Sequence, residues 1–161
     1  MSKRFGNKRA AGFIKDLATE SVESSGLIKK LKFNLHYLDL EQPAGLKGEI
    51  SLDFMKLLLD KLKNFSEESL AHWVTMPAGR GNGNIYQVYD RFPSKSEFKH
   101  PSSVPHDAVW GRFRIDRTIR LAGFTVPSNL NHKLCEKEKF RYCTNTFYVV
   151  FIDLHHKFYA T

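Results

Sequence analysis

Val109-Trp110-Gly111-Arg112-Phe113-Arg114-Ile115-Asp116 is the stretch that decides the fold. In a strand, successive side chains point to opposite faces. Val109, Phe113 and Ile115 therefore share a face suited to a core, while Arg112 and Arg114 stand together on the other. Asp116-Arg117-Thr118 has the polarity of a hairpin turn. Ile119-Arg120-Leu121-Ala122-Gly123-Phe124-Thr125-Val126 then returns as a partner strand and brings Arg117 and Arg120 near the first two arginines. A third segment, Thr146 to Asp153, is apolar without a break from Phe147 to Ile152 and rich in aromatic and β-branched residues. That composition fits a central strand buried on both faces better than an edge.

Working outward, 161 residues at 42% hydrophobic are enough for one ordinary core, so a single domain over 27–161 is expected behind a basic amino-terminal arm over 1–26. Within the arm, Ala10, Phe13, Ile14 and Leu17 recur at helical spacing between Lys8 and Val22. Leu31 to Leu38 alternates, which predicts a half-buried strand with Leu31, Phe33, Leu35 and Tyr37 inward and His36 outward in solvent. Ser51 is suited to cap a helix with a core stripe of Leu52, Met55, Leu58, Leu59 and Leu62, its outer face carrying Lys56, Asp60, Lys61 and Lys63. Ser66, followed by Glu67 and Glu68, signals a second short helix leading to Leu70, Trp73 and Val74. Ile85 to Tyr89 predicts another short strand. The expected class is α+β: a mainly antiparallel sheet of roughly four to six strands with a helical hairpin packed on one face.

The charge narrows the function classes. Twenty-five Lys plus Arg against 17 Asp plus Glu give +8, a surplus that attracts polyanions, of which nucleic acid is the commonest in a cell. No run approaches the roughly 18 apolar residues of a membrane span, and Met1 to Arg9 is basic without a signal peptide's apolar stretch. The expectation is a cytoplasmic protein with no membrane partner. Cys135 and Cys143 are too few for a disulfide scaffold and are expected to be reduced. Together with His132 they lack a paired C-x-x-C clip and a fourth ligand, so neither metal nor cofactor is expected. Ala78 to Asn84 is glycine-rich but lacks the lysine and hydroxyl of a P-loop and the spacing of a dinucleotide fingerprint, and is read as a hairpin tip. The insert from Ser128 to Asn145, with Lys137, Lys139 and Arg141, is read as a solvated loop or a phosphate-contacting flap.

The candidate chemistry gathers at the last strand and its end. His155 and His156 have the side chain suited to moving protons near neutrality, Lys157 can stabilise charge developing on a phosphate, and Tyr159 can stack a base or position a hydroxyl. Cleavage of RNA by its own 2′-hydroxyl needs only these services and no metal. Arg112, Arg114, Arg117 and Arg120 are candidates for the phosphate clamp. In the loop from Ser94 to Pro101, Lys95 and Lys99 are further phosphate contacts, and Tyr86, Tyr89, Phe92 and Phe98 are interleaved with cations as base-stacking candidates.

A small basic chain in which a helical hairpin precedes an antiparallel sheet, with arginines on its first strands and a His/Lys/Tyr end, resembles the bacterial RelE and HigB-type toxins. The likeness is one of layout and covers roughly Leu52 to Tyr159. It implies a ribosome-dependent mRNA endonuclease of a toxin–antitoxin pair, with ribosome-bound RNA as substrate and an antitoxin protein as partner. The chain departs from that pattern by its greater length, its amino-terminal strand and arm, and its long segment from Met76 to Asp107. Two other classes stand beside it: a non-catalytic nucleic-acid-binding module, and a protein-interaction subunit of a defence or mobile-element system.

Overall fold

A computed structural model describes residues 20–159 apart from 47, 49, 80 and 82; the predicted arm helix lies, but for its last residues, outside them. Five strands form one mixed sheet in the order β1-β7-β4-β3-β2. They are β1 (Lys32–Asn34), β2 (Tyr86–Asp90), β3 (Val109–Arg114), β4 (Arg120–Thr125) and β7 (Thr146–Asp153). A separate two-stranded hairpin joins β5 (Leu134–Cys135) to β6 (Phe140–Arg141). Two helices, α1 (Leu52–Phe65) and α2 (Leu70–Thr75), complete an α+β fold. No helix among the described residues is long and apolar enough to cross a membrane.

β3 and β4 form the hairpin expected from their alternation, with Arg112 opposite Ala122 and Arg114 opposite Arg120. Its turn is set by Asp116, whose Oδ1 accepts the backbone N–H groups of Thr118 and Ile119. β7 is an interior strand between β4 and β1, and Phe147, Val150 and Phe151 are fully buried. Two apolar layers result. Phe113, Leu121, Phe147 and Val149 pack with Leu58, Phe65 and Trp73 of the helices, while Trp110, Ala122, Phe124, Val150 and Phe151 pack under Phe98, Val104 and Phe158 from loops. At the β4–β7 bulge, a Cβ on Gly123 would overlap the Tyr148 carbonyl oxygen and press on the Phe147 ring. The sequence therefore needs glycine there to let the two backbones meet.

Three local expectations are corrected. The amino-terminal strand ends at Asn34, because the Asn34 side chain accepts the His36 N–H and turns the chain; Leu35 is left 56% exposed, not inward. β1 runs parallel to β7 while the other three pairings are antiparallel, so the sheet is mainly antiparallel, as expected. The buried face of α1 is Phe54, Leu57, Leu58, Leu62 and Phe65, whereas Leu52 and Leu59 are 71% and 57% exposed. Five apolar residues at mixed spacing define more than one stripe, and the sheet selects the one that includes Phe65. Ser51 caps α1 as expected, but α2 is capped by Ser69; Ser66 closes α1, its hydroxyl donating to the Leu62 carbonyl.

Candidate functional site

Alternation in β3 sends Arg112 and Arg114 to the same side of the sheet, and cross-strand pairing sets Arg120 directly opposite Arg114. The three arginines, with Gln87 of β2, line a recess of about 50 Å³ that has no acidic residue in its wall among the described residues. Among the described residues, none of these guanidiniums has a carboxylate within 4 Å. Like charges set opposite each other across a sheet destabilise it; Asp116 and Asp153 offset part of the charge at Arg120 without pairing with it, and the site keeps a surplus of positive charge.

Arg120 is only 2% exposed. Its Nη1 donates to the Asp116 and Ile119 carbonyls and its Nη2 to the Arg117 carbonyl, which locks the β3–β4 turn. Burial first, and then the charges of Arg112 and Arg114, pull its pKa down to about 10. Arg120 stays charged at neutral pH, and its role is to hold the turn and the rear wall of the recess. Arg114 donates to the Ala78 carbonyl. It also borders a second, larger groove of about 470 Å³ together with Lys61, Asn64 and Arg117.

Arg112 makes the contact that joins the arginines to the chain end, its Nη1 lying 2.9 Å from His156 Nε2. A guanidinium only donates, so His156 accepts through Nε2 and is neutral, with its ring proton on Nδ1. Partial burial, followed by the charges of Arg112 and Arg120, holds the imidazole below its ordinary pKa. Arg112 also lies over the face of Tyr89 at 5.5 Å. Tyr89 stacks on Tyr159 with ring centroids 4.6 Å apart and planes within 9°. The Tyr89 hydroxyl is buried without a hydrogen-bond partner among the described residues, and burial pushes its pKa up.

The turn that carries His156 is built by Asp153. Its fully buried carboxylate accepts the N–H groups of His155 and Lys157 at one oxygen and that of Phe158 at the other. Phe158 is thereby seated against Trp110 and Phe151. His156 sits at φ 62°, in the left-handed region that histidine enters more readily than most residues.

The remaining candidates are distributed unevenly. His155 is exposed, and its backbone N–H to Asp153 is its one hydrogen bond among the described residues. Lys157 pairs with Glu97 at 2.8 Å. Lys95 and Lys99 are exposed on the loop after Pro93 and do not line the recess. Arg117 is exposed on the turn and reaches the groove rather than the recess. Sequence reasoning gives Lys61 only a place on the outer face of its helix and does not single out Gln87. Lys61 occupies the flank of α1 next to Leu58 and Phe65, a position legible only once the buried stripe is known. Cys135 and Cys143 are free thiols. No protein-family model, curated protein or solved structure matches the chain.

Proposed function

We propose that the chain binds single-stranded RNA through the arginine recess and its adjoining groove and cleaves it as a toxin-like endoribonuclease. The observation that carries the reading is the 2.9 Å contact between Arg112 and His156: the guanidinium suited to hold a phosphate also holds a neutral imidazole. When a phosphate draws Arg112 to itself, Nε2 is released as a base. His156 then takes the proton of a 2′-hydroxyl, whose oxygen attacks the adjacent phosphorus. The bond from phosphorus to the 5′ oxygen breaks, and the leaving oxygen takes a proton from solvent, giving a 2′,3′-cyclic phosphate and a 5′-hydroxyl. Arg112 and Arg114 offset the negative charge that grows on the phosphoryl oxygens. The parallel Tyr89 and Tyr159 rings offer a stacking surface for a base, and Lys61 and Arg117 border the groove along which the strand continues. Resemblance to the RelE and HigB-type toxins extends the reading to ribosome-bound messenger RNA in the cytoplasm and to an antitoxin partner.

The test is cleavage of a labelled single-stranded RNA, with and without ribosomes and in the presence of a metal chelator, by the wild type, His156→Gln and Arg112→Gln/Arg114→Gln. His156→Gln should lower the rate by about 10²-fold or more and leave binding nearly intact, whereas the double arginine variant should lose binding. RNA binding without cleavage by the wild type would reduce the protein to a binding module. Absence of RNA binding at low salt would leave the protein-interaction reading.

A further inference from the structure

We infer that the recess between Arg112, Arg114 and Arg120 is a receptor for a terminal phosphate monoester and prefers it to the internal phosphodiester of an intact strand. The inference rests on the RNA reading above and goes beyond it in naming the chemical group the recess takes.

Size is the first argument. About 50 Å³ accommodates one tetrahedral oxyanion or a few waters, with no room for a sugar or a base. An internal phosphate carries a sugar on both sides and meets the recess only at its edge, whereas a terminal phosphate can enter. Arg114 and Ile85 border both this space and the groove of about 470 Å³, which places the groove next to the recess, where the attached strand would run.

Charge is the second argument. A monoester carries close to two negative charges at neutral pH, while a diester carries one. Three guanidiniums line the space with no carboxylate in its wall among the described residues, and one of them, Arg120, is almost wholly buried. Planar guanidiniums match phosphate oxygens well. Such a field binds the dianion better than the monoanion.

The experiment measures affinity at one fixed salt concentration for four probes: matched RNA oligonucleotides ending in 3′-phosphate, in 5′-phosphate or in hydroxyl at both ends, and a nucleoside 3′-monophosphate. At least one phosphorylated end should bind tenfold or more tightly than the hydroxyl-ended strand, and the arm that gains identifies which end enters. The gain should vanish in Arg114→Gln, whose fold is checked by its melting curve. Equal affinity of all three oligonucleotides overturns the terminal-phosphate receptor and leaves the RNA reading standing. Binding of the monophosphate with no oligonucleotide bound overturns the RNA reading and supports the receptor. Absence of binding by all four probes overturns both.

Discussion

Arg112 Nη1 and His156 Nε2 lie 2.9 Å apart across 44 residues of sequence, a pairing in which the imidazole must be neutral. Its pKa is held below the ordinary value by burial and by Arg112 and Arg120. The unfolded chain takes up this proton near the ordinary histidine pKa of about 6.5, whereas the folded chain does so only at lower pH. Over that window the unfolded state binds more protons, so stability falls as pH drops from neutrality through 6.5 toward the folded pKa. His156→Gln keeps an acceptor for Arg112 without the titration. Urea midpoints between pH 5 and 7.5 should therefore fall less in the variant than in the wild type, and parallel curves would contradict the assignment.

Arg114 faces Arg120 directly, a like-charged pair that disfavours the fold. Arg114→Gln should raise stability by about 0.5 kcal/mol, within the range for cross-strand pairs, while weakening RNA binding. Opposite signs in thermal melting and in affinity are the signature of charge kept for a ligand. A variant that loses both stability and affinity would mark Arg114 as structural.

Asp153 holds three backbone N–H groups of the His155–Phe158 turn. Asp153→Asn presents an N–H where an acceptor is needed and should cost about 2–3 kcal/mol, the scale for bonds to a charged acceptor. Hydrogen exchange at Lys157 and Phe158 should accelerate. Unchanged protection there would mean that Phe158 packing alone seats the turn.

Gly123→Ala tests the closest backbone approach in the sheet. The added methyl meets the Tyr148 carbonyl and the Phe147 ring, and backbone on an interior strand has little freedom to yield. A loss of about 3 kcal/mol is expected, at the upper end of overpacking costs. A melting temperature within a degree of wild type would show that the β4–β7 bulge relaxes.

The sheet was legible because period-two patterning is strong where one face is apolar and the other carries arginine, as in Arg112-Phe113-Arg114, and because Phe147 to Ile152 is continuous. The helix stripe was misplaced because Leu52 and Leu59 are as apolar as Leu58, and only docking on the sheet chooses between them. Alternation from Leu31 to Leu38 promised more strand than exists, since Asn34 supplies its own turn through the His36 N–H. At the site, the arginine face followed from spacing. The burial of Arg120, the neutral state of His156 and the Lys157–Glu97 pair depend on contacts across 44 to 60 residues or on the turn they close, which local pattern does not encode. Tyr89 and Tyr159 were each named as stacking candidates, but their mutual stacking needs the chain end to fold back beside β2.

The most direct measurement is the salt dependence of RNA binding by the wild type and by Arg112→Gln/Arg114→Gln on one single-stranded RNA. Each neutralised phosphate contributes about 0.7 to the slope of log affinity against log salt on single strands. The account predicts tight binding at low salt by the wild type, and in the double variant weaker binding with a slope shallower by about 1. Equal affinity and equal slope in the two proteins would contradict it, because the +8 charge would then attract RNA without the recess.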